Sequence, residues 1–445
     1  MNIHNIAIIG GGLSGCECAL TLAKFGFSVT LFEQKPQLFS PAHNTPLLAE
    51  LVCSNSLRSN ELTTGIGLLK QELRELNSPL MAIADTCRVP AGKALAVDRE
   101  LFSKQVTQLI ESHPKIHLIR EEVSSLSTSF LEKYDRIIVA TGPLASPNIS
   151  NSLSTLIGDK YLYFYDAIAP IVTADSIDMS IAFWGSRYEE QGEGDYLNCP
   201  MSYEEYQIFY SSLLKGEKVT NSKVEKEIHF EGCMPIEALA ERGEKTLLFG
   251  PFKPVGLINP HTGLRPYAVL QLRPENLNKS MLNLVGCQTK LTYPAQDTIF
   301  RLVPGLSNVE FVRFGSMHRN TYINSPKILT DQLALRNFPC IHLAGQITGV
   351  EGYVESIACG LWVSILLLAL SKDKKILRPP KTCALGGLLE HISCPSKQFQ
   401  PSNIHFGLVP EPTERIKKKE RKEWYAQRAR IDFHHWLNNE LIHIM

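Results

Sequence analysis

The chain opens on an unbroken apolar, β-branched run at residues 3–9 that stops at Gly10. A short run of this kind, bounded by glycine, reads as a strand buried on both faces. A helical pattern follows over 13–25, and a second apolar run at 28–33 completes a strand–helix–strand unit. From 49 to 76 the pattern turns helical, with Leu57, Leu68, Leu69 and Leu73 on prospective core faces. Residues 98–110 read as a helix capped by Asp98, ahead of Glu100 and Leu101. Residues 134–141 form a strand that ends in an Ala-Thr-Gly turn at Thr141 and Gly142. After Pro147 the regularity lapses: from about 160 to 320, short β-rich or aromatic runs such as 161–165 and 180–184 are broken by Gly and Pro. This stretch predicts an α+β insertion. A strand at 340–344, a glycine turn at 345–352 and an apolar stretch at 357–370 return to the style of the first unit. That stretch is shorter than the roughly 20 residues a bilayer requires, so it predicts a core helix. Last comes a basic helix at 414–437, with Trp424, Ile431 and Leu437 at roughly heptad spacing.

Composition narrows the class. With 445 residues, 44 % hydrophobic and 20 % charged, the sequence reads as two or three globular domains and not as a disordered chain. Lys+Arg and Asp+Glu both number 45, which excludes a chain that is basic throughout but leaves room for local patches. The eleven cysteines show no CxxC spacing, so the expectation is reduced thiols in a cytoplasmic protein. The N-terminus has no basic leader region, and neither a membrane nor a metal is expected, since no Cys/His quartet has ligand spacing.

The first chemical motif is Gly10-Gly11-Gly12-Leu13-Ser14-Gly15. Gly10 allows a tight turn, Gly12 lets the backbone approach a pyrophosphate, and Gly15 lets helix and strand pack closely. The helix start offers unpaired amides and positive dipole charge to phosphates. Glu33, ending the second strand, is placed to accept hydrogen bonds from ribose hydroxyls. No second such fingerprint occurs, but Gly345, Gln346 and Gly352 form a distant glycine turn before an apolar helix. Two remote segments around one long cofactor favour FAD over NAD. The expected fold is α/β: a Rossmann-like FAD-binding domain (1–165 and 326–445) with an α+β insertion domain (166–325).

Two cysteines have unusual neighbours. Cys53 lies five residues before Arg58, which would favour a thiolate, and Cys233 lies between a glycine and a helix-starting Pro. Read alone, either is more readily an inert buried thiol than a reactive one. The strings around both, together with Gly10–Gly15 and residues 97–100, 165–167, 250–257, 291–297, 317–325 and 344–356, resemble the TrmFO family, relatives of the GidA flavoproteins. The likeness runs from residue 6 to about 437. It implies a tRNA (uracil-5-)-methyltransferase that takes a one-carbon unit from methylenetetrahydrofolate, uses flavin reduced by NADH or NADPH, and acts on the tRNA T-arm. It assigns the C6 nucleophile to Cys233 and the C5 base to Cys53. Cys199 reads as structural, and Cys287 stands where the family pattern leads us to expect an aromatic residue. A GidA-type enzyme of the wobble uridine and a general flavin reductase are the competing readings. The first would carry a longer helical C-terminal region, and the second would need neither Cys233 nor an RNA surface.

Residues 415–430 carry eight Lys/Arg against two Glu, including Lys417, Lys418 and Lys419. They form either a phosphate-tracking surface or a solvated helix face. His318, Arg319, Asn320 and Tyr322 form a second cluster that could hold a flipped uridine or a pterin, or simply fasten the insertion.

Overall fold

The opening apolar run becomes β1 (Asn5–Ile9), with Ile6, Ala7 and Ile8 fully buried. The structure, a computed structural model, describes residues 3–158, 162–188, 194–219, 234–396, 399–441 and 444. Helix α1 (Leu13–Lys24) leads to β2 (Ser28–Phe32), which lies parallel to β1 with Ile6 opposite Val29 and Ile8 opposite Leu31.

The helical pattern expected over 49–76 divides in two. Residues Ser56–Ser59 form a strand, β3, and only Gly65–Glu75 is helical, as α2. Leu57 is buried from the strand, whereas Leu68, Leu69 and Leu73 are buried from the helix. The break has local causes. Arg58 sits at φ 65°, which no helix accommodates, and the Thr64 side chain caps α2 by accepting from the Gly67 amide. The buried Lys70 ammonium then pins the strand by donating to the carbonyls of Leu57 (2.8 Å) and Ser59 (2.6 Å). β4 (Arg88–Val89) and β5 (Ala94–Val97) complete this small antiparallel sheet. α3 (Arg99–Ser112) starts as expected, with Asp98 accepting from the Leu101 amide at 3.0 Å.

β6 (Ile116–Ile119) and β7 (Arg136–Val139) follow, and then β8 (Leu162–Ile168) leads away from the first sheet. The insertion carries β9 (Ile171–Thr173), β10 (Phe183–Trp184), β11 (Leu197–Met201), helix α4 (Tyr203–Lys215), β12 (Ala268–Pro274), β13 (Met281–Leu284) and β14 (Phe311–Arg313). β15 (Ser316–Tyr322) returns antiparallel along the whole of β8, with Ser316 opposite Ile168 and Tyr322 opposite Leu162. β16 (Ala334–Leu335) and β17 (Phe338–Leu343) rejoin the first sheet.

The two large sheets run β16-β17-β7-β1-β2-β6 and β10-β11-β12-β13-β9-β14. Each has its own apolar cluster. On β12, Ala268, Leu270 and Leu272 enter the second cluster, while Gln271 and Arg273 alternate onto the opposite face. In the first sheet the chain leaves β1 toward β2 on one side and reaches β7 on the other. This makes the carboxyl end of β1 a topological switch point, where open α/β sheets bind their ligands.

α5 (Tyr353–Ser371) is apolar and long enough to cross a bilayer, but it is buried within the fold, with Trp362 fully enclosed. It is the expected core helix. α6 (Ala384–His391) follows, and α7 (Arg421–Trp436) runs on into a short π-helical segment at Leu437–Leu441. Here the sequence expectation needs correcting. Lys417, Lys418 and Lys419 precede the helix, and its buried stripe is Tyr425, Ala426, Ala429, Phe433 and Trp436. Ile431 is 68 % exposed. Spacings of three and four residues put that stripe on one face, whereas strict steps of seven drift around a straight helix.

Glu17 on α1 is fully buried; one oxygen accepts from the Leu80 amide at 3.1 Å and the other has no partner among the described residues. Burial pushes this carboxyl from the ordinary 4.5 up to about 8. Between those values the unfolded chain ionises before the folded one, so stability falls as pH rises. Replacing Glu17 with Gln should flatten that fall, which can be read as thermal midpoints measured across the same pH window. Parallel curves for the two proteins would place the titration elsewhere.

Candidate active site

A cleft with about 1120 Å³ of empty space opens at the carboxyl ends of β1 and β7. Gly10, Gly11, Gly12, Leu13 and Ser14 line it on one side, and Gly345 and Gln346 on the other. Gly10 turns at φ +107°, and a Cβ there would stand 2.5 Å from the Ala140 carbonyl oxygen. A Cβ on Gly15 would fall on the carbonyl of Gly10, so Gly15 lies beneath the loop and packs it onto α1. A Cβ on Gly12 would meet nothing within 4 Å. The amides of the first turn of α1 have no acceptor within their own helix.

Glu33 lines the cleft and is buried, but its carboxylate is already engaged. One oxygen accepts from the Gly11 amide and the other from the Lys35 amide, both at 2.9 Å. The acid therefore braces the glycine loop first, and only its remaining lone pairs face a ligand. Ser14 Oγ and Thr141 Oγ1 are buried in the cleft wall without a partner among the described residues. Gly142, at φ +66°, extends that wall. Unclaimed hydroxyls, unclaimed helix amides and the open face of Gly12 together fit a dinucleotide pyrophosphate.

The second glycine turn touches the first. A Cβ on Gly345 would stand 2.8 Å from Ser14 Cβ. Gln346 donates to Glu351 at 2.6 Å, and Gly352, at φ +115°, forms the N-cap of α5 and does not line the cleft.

Cys53 is half-buried beside this cleft and is held through its chain neighbours. Its amide donates to the Tyr353 hydroxyl at 2.7 Å, and the Ser54 amide donates to the same oxygen at 3.2 Å. Arg313 Nη1 donates to the Val52 carbonyl at 3.0 Å. Arg273 donates to Ser54 Oγ at 2.7 Å and to Asn55 Oδ1 at 3.0 Å. Val52 and Tyr353 both line the cleft. Arg58, expected to serve the thiol, is instead paired with Glu355 at 3.1 Å. Its left-handed backbone conformation accompanies that turn away from Cys53. The arginines that reach the Cys53 segment come from β12 and β14. An Arg inside the apolar strand run Ala268–Pro274 was the one available sequence signal for them.

The polar cluster on β15 is divided by strand alternation. His318 and Asn320 share one face, and Arg319 on the other lies over the Tyr163 ring at 4.2 Å. His318 Nε2 is 2.9 Å from Ser316 Oγ, and buried Asn320 donates to Asp166 at 3.5 Å. Burial lowers the His318 imidazole, helped by Arg313, and burial likewise lowers His43 in the cleft wall. Neutral imidazoles near pH 7 follow.

Cys233 lies outside the described residues. Beyond it, the Ile236 amide donates to the Gln288 carbonyl at 2.7 Å, and Glu237 is buried against Thr289. Cys287 sits inside the second apolar cluster, and Cys199 is buried on β11 with burial pushing its thiol up to about 12. Both behave as core residues. Lys417, Lys418 and Lys419 are exposed.

A parallel sheet with a dinucleotide cleft at its switch point, interrupted by an antiparallel sheet that reaches back to the cleft, defines a flavoprotein of the GidA type. Aquifex aeolicus GidA superposes with a TM-score of 0.67 over 98 % of this chain and 74 % of its own, at 14 % identity. The chain belongs to the glucose inhibited division protein A family, whose model matches residues 5–375, and within it to the TrmFO group. A relative from Oleidesulfovibrio alaskensis is 59 % identical over 98 % of this chain and 97 % of its own. One from Nitratidesulfovibrio vulgaris is 60 % identical over 98 % and 90 %, and one from Geotalea uraniireducens 54 % identical over 98 % and 99 %. Each of these bears the name methylenetetrahydrofolate–tRNA-(uracil-5-)-methyltransferase TrmFO.

Gly12 separates ligand binding from folding, because its backbone (φ −78°, ψ −172°) suits any residue and its Cβ would enter open cleft. Gly12→Val should therefore keep the unfolding free energy of the flavin-free protein within about 0.5 kcal/mol, yet purify with at most a tenth of the wild-type flavin absorbance. A variant that stays fully yellow would move the pyrophosphate away from this loop.

Proposed function

We propose that this chain methylates C5 of a uridine in the tRNA T-arm, with methylenetetrahydrofolate as the source of the carbon. The observation that supports this best is the placement of Cys53. It stands where the dinucleotide cleft meets the insertion sheet, held from both sides by Tyr353, Arg273 and Arg313.

Uracil C5 is a weak nucleophile. A thiolate adding at C6 forms an S–C6 bond and drives the ring's π electrons toward O4, so that C5 can attack the one-carbon unit. Cys233 takes this role in our reading. Cys53, next to the cleft, then removes the C5 proton so that the S–C6 bond can break and the ring regain its double bond. Bound FAD, recharged by NADH or NADPH, supplies the hydride chemistry that a methyl group requires. Gly10–Gly15, Thr141, Gly142 and the Gly345–Gln346 turn would hold it, with the spare lone pairs of Glu33 toward its ribose. Tyr353 and the two arginines keep Cys53 at the cleft edge. His318 and Asn320, presented together by β15, suit a flat polar ring, either pterin or uracil. Arg319 faces away from them and serves the sheet. We assign the insertion to residues 166–325, between the two parts of the FAD-binding unit.

Purified protein given NADPH, methylenetetrahydrofolate and undermodified tRNA should form 5-methyluridine, and S-adenosylmethionine alone should not. Cys53→Ala should lose about 10²–10⁴-fold in rate while keeping its flavin. Cys233→Ala should fail to trap a 5-fluorouridine T-arm covalently. Methylation supported by S-adenosylmethionine, or trapping without Cys233, would overturn the assignment.

The exposed Lys417–Lys419 segment, lying ahead of the helix, suits contact with phosphates. Replacing the three lysines with Gln should weaken tRNA binding and make its salt dependence shallower, by about 0.9 in log–log slope for each phosphate no longer neutralised. An unchanged slope would return the segment to simple solvation.

A further inference from the structure

Three arginines and one acid meet at the seam behind Cys53: Arg99, Arg273, Arg313 and Glu275. Glu275 pairs with Arg99 at 2.8 Å, and Arg273 spends its donors on Ser54 and Asn55. Arg99 Nε also lacks a hydrogen-bond partner among the described residues, but that guanidinium is spent on Glu275, whereas Arg313 has no ion-pair partner among them. Arg313 Nη1 is fixed on the carbonyl of Val52, a residue of the cleft wall, while Nε and Nη2 are buried with no partner among the described residues. Buried donors left unmet are uncommon in folded proteins, and a group that binds there is one physical reason for them. The group is also close enough to His318 to lower that imidazole by its charge. Cys53, His318 and the cleft residue Val52 thus surround it.

Given the reading of Cys53 as the group that serves C5, the chemistry of the ring says what comes here. C4 is bonded directly to C5, and the carbonyl oxygen O4 lies about 1.2 Å beyond it. The group that takes the C5 proton and the group that receives O4 must therefore be neighbours. When the thiolate adds at C6, its electron pair makes the S–C6 bond, the C5=C6 pair moves to C4–C5, and the C4=O4 pair moves onto O4. The same charge returns to O4 when the C5 proton leaves for Cys53, before the S–C6 bond breaks.

We propose that Arg313 is a catalytic residue of this reaction, its Nε and Nη2 hydrogens receiving uracil O4 as that oxygen becomes anionic. A planar guanidinium held by one corner offers its other hydrogens along fixed directions. This is the preorganisation that stabilises an oxyanion without cost at the moment of reaction. Arg273 and Arg99 act on the protein alone.

The test uses the full-length flavin-loaded enzyme and a T-arm RNA with either uridine or 4-thiouridine at the target. Arg313→Gln should lower kcat on uridine about 10²–10³-fold, the loss seen when one oxyanion donor is removed, with KM for RNA and for folate within about threefold of wild type. Replacing O4 with sulfur, a weaker acceptor, should slow the wild type strongly and the Gln variant hardly at all, because the hydrogen bonds to O4 are already missing there. Additive effects of the two changes would overturn the proposal. So would a variant that keeps kcat and raises only the KM for folate, which would make Arg313 a binder of the folate carboxylates. Should Arg313→Gln lose its flavin or fold, Arg313→Lys enters the same cycle and should show a partial loss in kcat with the sulfur penalty reduced. Wild-type methylation of the uridine RNA is the internal control. Its absence would remove the functional reading itself, and its presence with additive effects removes only the role of Arg313.

Discussion

The start of α1 around Ser14 is crowded from three directions, and the architecture depends on glycine being present in each. Gly15 lies against the Gly10 carbonyl, Gly360 on α5 lies against the Ser14 carbonyl, and Gly345 lies against the Ser14 side chain. A Cβ on Gly360 would stand 2.5 Å from that carbonyl oxygen. Any larger residue would push α1 away from β1 or from α5, and the amides at the helix start would no longer point into the cleft. The Cys18 thiol donating to the Gly360 carbonyl at 3.2 Å shows how closely the two helices cross. The glycines are conformationally costly in a helix interior, by roughly 0.5–1 kcal/mol each relative to Ala. They persist because the crossing they permit joins two remote glycine turns around one site.

The second constraint is the seam between the sheets. The two apolar clusters do not merge there, and the contact between them is made by directed hydrogen bonds. Asn55 donates to the carbonyls of Val97 and Pro274 at 3.0 and 2.9 Å, while Arg273 and Arg313 clasp the residues on either side of Cys53. An apolar seam could slide by a fraction of an ångström with little loss. A buried polar one cannot, because each misplaced donor is left without water or partner. The insertion thereby fixes one thiol to the frame of the flavin cleft.

Patterns whose physics is local were legible in the sequence. The βαβ unit, the Asp98 cap and the core helix at Tyr353–Ser371 each depend on residues within a few positions, and they appear where expected. The departures come from backbone conformations and partners that hydrophobic spacing does not encode, some of them nearby and some distant. Leu57 follows a helical spacing, but Lys70 and the conformation of Arg58 turn its segment into a strand. Trp424 and Ile431 suggested a stripe, but the surface that α7 covers selects Tyr425, Ala429 and Phe433 instead. Arg58 was close to Cys53 in sequence, yet Glu355 claims it across 297 positions, and the arginines that arrive come from strands more than 200 residues away. His318 and Arg319 are adjacent in sequence and point to opposite faces for the simplest reason, strand alternation.

The same long-range effects alter the charge that a substrate meets. Formally the chain is balanced, with 45 acidic and 45 basic side chains. Burial does not act on the two signs equally. It raises Glu351 well above the ordinary carboxylate range, with Asp166 adding to the effect, and it raises Glu355 behind the same turn. Arginine, whose guanidinium stays protonated even when desolvation lowers it, keeps its charge. The carboxyls behind the second glycine turn are thus shifted toward their neutral forms, while the Cys53 wall holds Arg99, Arg273 and Arg313 against Glu275. A balanced protein thus presents a positive interior edge at the place where anionic folate, phosphodiester and ring oxygen would converge. Charge counting over the whole chain misses it because the field is set by which acids are buried, not by how many there are.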